Sequence, residues 1–156
     1  MRLKNRWLFA AALAGAVLIG SFVSAKAQDP VVGLRAGYYT DISDVFVGGE
    51  LLTALGNATY FNPNVEYVFT DGFTFLTFNG DFHYDFPSRS PAYFWLGAGL
   101  AALYANPEGA GDNSTDVGVN LLAGVGFSRR PVIPYVQGKF ILSDNSEFVL
   151  GFGLRF

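Results

Sequence analysis

The stretch EFVLGFGLRF, residues 147–156, alternates large apolar residues with glycine and polar residues. Successive side chains of a β-strand point to opposite faces, so one face of this segment is entirely apolar. The apolar face consists of Phe148, Leu150, Phe152, Leu154 and Phe156, and the other face of Val149, Gly151, Gly153 and Arg155. The segment therefore predicts a strand that separates an apolar environment from a polar one.

The same alternation recurs along the chain from residue 31 onward, and no segment shows a convincing helical period. Eight segments follow it, and each is close to the about 9–11 residues that a tilted transmembrane strand needs. The predicted strands are 31–39, 45–53, 60–69, 76–86, 92–104, 116–127, 134–142 and 147–156. Between them lie turn-like segments, including a break at 54–58 and the tight-hairpin signal Asp71-Gly72.

The composition of the chain is compatible with one folded domain. The sequence has 156 residues, 17% aromatic and 15% charged, and it contains no cysteine. Many aromatics and few charges argue against intrinsic disorder. Without cysteine, a disulfide framework and a thiolate metal site are both excluded.

The first 27 residues have the three parts of a secretory signal peptide. They begin with Arg2, Lys4 and Arg6, continue through an apolar run, and reach the small-x-small sequence Ala25-Lys26-Ala27. The alternative is a retained transmembrane anchor, because the apolar run is nearly long enough to span a bilayer. We expect cleavage after Ala27, so that residues 1–27 are a signal peptide and 28–156 a single barrel domain.

Removal of this segment makes the chain acidic. It holds four of the ten basic residues and none of the thirteen acidic ones, which leaves six basic residues and a net charge of −7. Phosphate binding requires the opposite sign, so we expect no nucleic-acid partner.

Alternation alone does not decide whether the apolar faces point inward or outward. A soluble sandwich or lipocalin-like barrel would turn them inward. Export by a signal peptide, aromatic residues near strand ends, and the apolar terminal strand all favour a membrane barrel with its apolar faces toward lipid. The sequence thus predicts an all-β fold, a closed antiparallel eight-stranded transmembrane up-and-down β-barrel.

With these features, the chain resembles the small eight-stranded outer-membrane barrels of Gram-negative bacteria, the OmpA/OmpX-like β-barrel family. The resemblance implies location in the bacterial outer membrane, contact with its lipid and lipopolysaccharide, and a monomeric barrel. It also implies that the apolar face from Phe148 to Phe156 is the signal recognised by the barrel-assembly machinery during biogenesis.

If both termini are periplasmic, the turns sort by charge. The outer turns, 41–44, 70–74, 105–116 and 143–147, contain acidic residues and no basic one, whereas the inner turns contain Arg89, Arg129 and Arg130 and no acidic one. The acidic residues of the outer turns are Asp41, Asp44, Asp71, Glu108, Asp112, Asp116, Asp144 and Glu147. Such loops could take up divalent cations that bridge lipopolysaccharide phosphates.

The polar faces of the strands carry the candidate site residues, and in this fold they line the lumen. They are Arg35, Glu50, Glu66, Asp81, His83, Asp85, Lys139 and Arg155. His83 lies between two aspartates on one face, which permits a metal site or a proton-transfer cluster. We favour a network of ion pairs instead, because charges removed from water need partners, and we predict no metal and no cofactor.

Two further patterns are assigned structural roles. GAGLAA, residues 97–102, fits a dinucleotide-binding pattern but lacks the strand and helix context that gives it meaning. We interpret Gly97 and Gly99 as lumen glycines that make room for large neighbours such as Tyr93 and Trp95. The acidic and glycine-rich loop before Asp116 lacks the spacing of a calcium loop.

The first functional hypothesis is a structural or interaction role in the outer membrane, because an eight-stranded barrel is filled by its own side chains. The alternatives are a narrow solute or ion channel and, with weaker support, a lipid A-modifying enzyme. An enzyme would need a nucleophile and a base near the lipid-facing rim, and the strand faces near His83 offer no obvious serine. We therefore expect no enzymatic activity.

Overall fold

The computed structural model describes residues 29–107, 112–127 and 131–156. All regular secondary structure in these ranges is β-strand, and none of their residues forms a helix able to cross a membrane. The strands are β1 Val31–Tyr39, β2 Asp44–Gly56, β3 Thr59–Val68, β4 Phe73–Asp85, β5 Tyr93–Pro107, β6 Ser114–Gly126, β7 Ile133–Leu142 and β8 Glu147–Arg155. The predicted signal peptide, Glu108, Arg129 and Arg130 lie outside the described residues.

The eight strands form a closed barrel in which each strand is antiparallel to both neighbours. Closure is made by β1 and β8, from Gly33 opposite Arg155 to Tyr39 opposite Val149. Closure leaves no strand with unpaired backbone groups at an edge. The predicted fold class, a closed antiparallel eight-stranded up-and-down barrel, is confirmed.

The barrel has two ends that differ in their connections. At the terminal end lie the start of β1, the end of β8, and the turns that join β2 to β3, β4 to β5 and β6 to β7. At the loop end lie the other four connections, whose described acidic residues are Asp41, Asp71, Asp112 and Asp144.

The end of β2 differs from the prediction. Residues 54–58 were expected to be a break, but β2 continues to Gly56 with a register shift against β3 between Ala54 and Gly56. The connection is a two-residue turn in which Asn57 and Ala58 have φ of 30° and 63°. Such a turn requires the left-handed backbone region, which asparagine tolerates better than alanine. The prediction missed it because the turn has alanine where glycine is usual.

The alternation along the strands separates two surfaces. On β8, Phe148, Leu150, Phe152 and Leu154 point outward and are 38% to 52% exposed, and Phe156 just beyond the strand is 56% exposed. Val149 and Arg155, which alternate with them, point into the barrel and are at most 1% exposed. The same separation holds along the other strands, so the outer face of the strands is apolar and the charged residues assigned to the lumen are enclosed.

Candidate functional site in the barrel lumen

A chain of five charged side chains crosses the middle of the lumen. Lys139 on β7 places its Nζ 2.9 Å from each carboxylate oxygen of Glu66 on β3. Arg35 on β1 lies between the two glutamates, with Nη2 3.0 Å from Glu66 Oε1 and Nη1 3.6 Å from Glu50 Oε2. Arg155 on β8 completes the chain, since its Nε donates to Glu50 Oε1 at 2.8 Å.

Neutral side chains complete the environment of Glu66. The hydroxyl of Tyr39 donates to Glu66 Oε2, and Thr77 Oγ1 donates to the same oxygen at 3.1 Å. Glu66 and Thr77 are fully buried. A carboxylate held by two cations and two hydroxyl groups has the partners that a buried charge needs to remain ionised.

Asp81 is the third carboxylate of this region, and amides hold it. Asn120 Nδ2 donates to its Oδ1 at 2.7 Å, and Asn64 Nδ2 donates to its Oδ2 at 3.0 Å. Gly99 on β5 lies beside it, where a Cβ would stand 2.3 Å from Asp81 Oδ1. With Asp81 included, Arg35, Lys139 and Arg155 are matched by an equal number of carboxylates.

His83 and Asp85 form a separate pair toward the terminal end. His83 Nδ1 lies 3.1 Å from Asp85 Oδ1. The imidazole is 3% exposed, stacks on Tyr60 with ring centres 5.4 Å apart, and has Trp95 at the same distance on another side. Among the described residues, no three histidine, cysteine, aspartate or glutamate side chains converge as metal ligands would.

Apolar clusters enclose the charged region on both sides. The cluster at the loop end comprises Tyr39, Phe46, Val68, Ala101, Leu103, Ile141 and Val149. The cluster at the terminal end comprises Tyr93, Trp95, Leu122 and Tyr135. The guanidinium of Arg155 lies 4.3 Å from the ring centre of Tyr135 and 5.1 Å from that of Trp95, so cation–π contacts join this cluster to the ion pairs.

Glycine on the inner face makes this packing possible, although the assignment of individual glycines changes. A Cβ at Gly124 on β6 would stand 2.2 Å from the Trp95 ring, and one at Gly126 would stand 2.6 Å from Tyr93. The glycines that make room for these two rings are therefore on β6. The predicted Gly97 and Gly99 face the lumen but pack against His83 and Asp81.

The acidic residues outside the lumen do not form one group. Asp41, Asp71, Asp112 and Asp144 are exposed in or beside the connections at the loop end, whereas Asp44 and Asp116 are half-buried within β2 and β6. Glu147, expected in an outer turn, is instead the first residue of β8 and is 5% exposed. Its parity on β8 places it on the inner face, and its Oε2 accepts from Asp41 N at 3.3 Å.

All eight charged residues assigned to the lumen from the sequence are buried there, and the structure adds uncharged members. The added residues are Tyr39, Asn62, Asn64, Thr77, Asn79, Asn120 and Gln137. Most share strand parity with a charged residue nearby, as Asn64 does with Glu66, and that parity was a signal for finding them. Asn120 lies on a strand whose inner face has no charged residue between Val117 and Phe127, so only the fold reveals its role.

Comparison with solved structures places this architecture. The N-terminal β-barrel domain of Pseudomonas aeruginosa OprF matches with a TM-score of 0.70 at 15% identity, covering 84% of this chain and 98% of that one. The chain has the fold of the small eight-stranded outer-membrane β-barrels. Neisserial surface protein A matches with a TM-score of 0.67 at 18% identity over 84% and 98% of the two chains.

The attachment invasion locus protein Ail of Yersinia pestis also matches this chain. Its TM-score is 0.50 at 13% identity, and the match covers 82% of this chain and 100% of that one. Neither a protein-family model nor a curated protein sequence matches the chain. At these identities the likeness establishes the fold and leaves activity to the residues of this chain.

Proposed function

We propose that the chain is an integral outer-membrane barrel with a structural or interaction role and a lumen closed by its own side chains. The observation that carries the proposal is the distribution of residues across the wall. Large apolar side chains face outward on the strands, and a neutralised set of ion pairs lies inside between two apolar clusters. The fold shared with outer-membrane barrels supports the same location.

The apolar outer surface supports the proposal that the strands contact the hydrocarbon of a membrane. Leu34, Leu100 and Val117 are each more than 60% exposed, and exposed Phe, Leu, Val and Tyr residues occur on every strand. A soluble monomer rarely exposes so large a continuous apolar surface. Fractionation and flotation with vesicles test the location, and recovery of the folded chain as a soluble periplasmic protein would refute it.

A narrow channel is less well supported than a closed barrel. An ion on the barrel axis would meet Tyr39 and Phe46 at the loop end and Trp95 and Tyr135 at the terminal end. Purified barrel in planar bilayers should therefore show no discrete conductance steps. Reproducible steps that change size in a Lys139→Met variant would establish a conducting lumen and refute the closed-lumen proposal.

We also propose that the barrel is not an enzyme. A lipid A-modifying reaction would need a base, and the one histidine of the sequence is His83. Its ring lies inside the wall, between Tyr60 and Trp95. Mass spectrometry of lipid A from cells with and without the barrel should give identical spectra. A modification that appears with the wild type and disappears with His83→Ala would overturn this conclusion.

The exposed aspartates at the loop end support the proposal that this end binds a positively charged partner. We propose that Asp41, Asp71, Asp112 and Asp144 take up divalent cations that also bridge lipopolysaccharide phosphates. Replacing all four with asparagine should abolish the rise in melting temperature that Mg²⁺ gives in lipopolysaccharide-containing bilayers. An equal rise in the wild type and the variant would exclude this role.

The terminal strand supports a role in assembly. We propose that its outward side chains, from Phe148 to Phe156, are read by the barrel-assembly machinery before the barrel closes as a monomer. Phe156→Ala should lower the amount of heat-modifiable barrel in the outer membrane, with Phe140→Ala on the outer face of β7 as the matched control. Equal losses in the two variants would indicate that only general hydrophobicity matters.

A further inference from the structure

The outer wall carries a groove where β1 and β8 meet. It has a volume of about 610 Å³ and spans strands β2, β1, β8 and β7. Its lining includes Leu34, Ala36, Val47, Val136, Phe152 and Leu154, all of which are apolar. The volume is within the about 300–1,000 Å³ range of ligand sites in proteins.

The groove follows from one small residue in a row of larger ones. Ala36 lies opposite Val47 on β2 and opposite Phe152 on β8, and Phe152 in turn lies opposite Val136 on β7. Alanine is the smallest side chain in that row, so the side chains protrude least from the wall at Ala36. The main chain of Gly48 and Gly153 is reached between these side chains and forms part of the floor.

Among the residues that the structure describes, the one charged residue bordering the groove is Arg35. Its side chain is 1% exposed and is held in the lumen by Glu50 and Glu66. A peptide segment in this position would leave its backbone hydrogen-bonding groups unpaired within an apolar surface. The convex wall of a second barrel would not reach the floor. The chemistry that fits is a flexible, uncharged hydrocarbon chain.

We propose that this groove holds one acyl chain of a phospholipid, and this inference rests on the proposed membrane location. The apolar outer surface continues around the groove on all four strands, so the groove opens into the same hydrocarbon. On β7 and β8 it lies toward the terminal end, because Leu154 is opposite Pro134, the second residue of β7. If the termini are periplasmic, the part of the groove on β7 and β8 faces the phospholipid leaflet and not lipopolysaccharide.

An acyl chain prefers the groove to the surrounding lipid because it packs closely against the groove's side chains. Lipid tails are as apolar as the groove itself, so moving a chain between them gains little hydrophobic free energy. A chain seated in the groove instead gains van der Waals contacts with the side chains that line it, and these contacts add up over its length. The expected effect is a lipid that exchanges several-fold more slowly than its neighbours.

Filling the floor of the groove tests the proposal. The variants are Ala36→Phe and the milder Ala36→Leu, with Ala98→Phe as control. Ala98 is an outward alanine between Phe82 and Leu121 that does not line the groove. Native mass spectrometry of barrels purified in mild detergent counts the retained lipids, and their mass identifies them as phospholipid or lipid A.

The wild type and Ala98→Phe should each retain one phospholipid, Ala36→Leu fewer, and Ala36→Phe several-fold fewer. Equal retention by Ala36→Phe and the wild type, or no retained phospholipid in the wild type, overturns the groove assignment. A retained species with the mass of lipid A overturns the choice of leaflet and lipid. Flotation of each variant with phosphatidylethanolamine and phosphatidylglycerol vesicles is measured in parallel, and failure of the wild type to float refutes the membrane location itself.

Discussion

Replacing Glu66 with glutamine probes the charged chain at its centre. The substitution keeps the shape of the side chain and removes its charge, so it separates electrostatic effects from packing effects. Lys139 would lose the carboxylate that lies 2.9 Å away and would retain a contact of 3.4 Å with Asn79 Oδ1. Arg35 would keep Glu50 at 3.6 Å.

The size of the stability loss follows from the burial of Lys139, the cation left without its carboxylate. Lys139 is 1% exposed, and removing one partner of a buried ion pair costs about 3–5 kcal/mol because the other charge is left uncompensated. The hydroxyl groups of Tyr39 and Thr77 could still bond the amide oxygen, which limits the loss. We expect Glu66→Gln to lower the free energy of unfolding by about 3 kcal/mol.

The assay is equilibrium urea unfolding of the barrel in phospholipid vesicles. Trp95 reports on it, because its ring is fully buried in the terminal cluster and unfolding exposes it. Asp71→Asn is the control, since it removes an exposed carboxylate from a loop and should change stability by less than about 0.5 kcal/mol.

A second substitution identifies the cause. Adding Lys139→Met to Glu66→Gln removes the uncompensated cation, so the double variant should recover about 1–2 kcal/mol relative to Glu66→Gln. A Glu66→Gln variant as stable as Asp71→Asn would refute the assignment of the network as a set of mutually dependent charges. A double variant less stable than both single variants would show that packing, and not charge, sets the cost.

Two further substitutions test the backbone and the packing of the lumen. Gly124→Ala should destabilise the barrel by about 1–3 kcal/mol in the same unfolding assay, because its Cβ would stand 2.2 Å from the rigid Trp95 ring. The matched Gly138→Ala, whose Cβ would meet its nearest atom at 3.4 Å, should be close to neutral, and equal effects would refute the packing argument. Ala58→Gly should stabilise the barrel by about 1 kcal/mol, since Ala58 has a φ of 63°; a loss of stability would mean that the turn is not left-handed in solution.

Much of the fold could be predicted from the sequence because the decisive signal is local. The period-two alternation placed Phe148 and Phe152 on the apolar face of β8. It likewise placed Arg35 and Lys139 on the polar faces of β1 and β7. The ends of the strands were less predictable. The β2–β3 turn uses Asn57 and Ala58 and lacks the glycine that usually marks such a turn, so β2 was predicted to end at residue 53.

The candidate site was predictable as a set of residues and not as an arrangement. Parity assigned Glu66 and Lys139 to the lumen, but it contains no information about which strands face each other across it. The position of Glu147 was missed for a related reason, since a residue beside a turn is assigned to the turn unless the register of the strand is known. Sequence position also misassigned the glycines, because the space that Trp95 needs is supplied by Gly124 on the next strand.

The sequence by itself determined which residues of a strand share a face, because a β-strand alternates its side chains whatever surrounds it. Only the closed barrel decided that Lys139 meets Glu66, 73 positions away, and that Arg35 joins two glutamates. Those contacts depend on the height of each residue along the axis. That height is set by the strand tilt and by the combined registers of all eight strand pairs, which no single segment encodes.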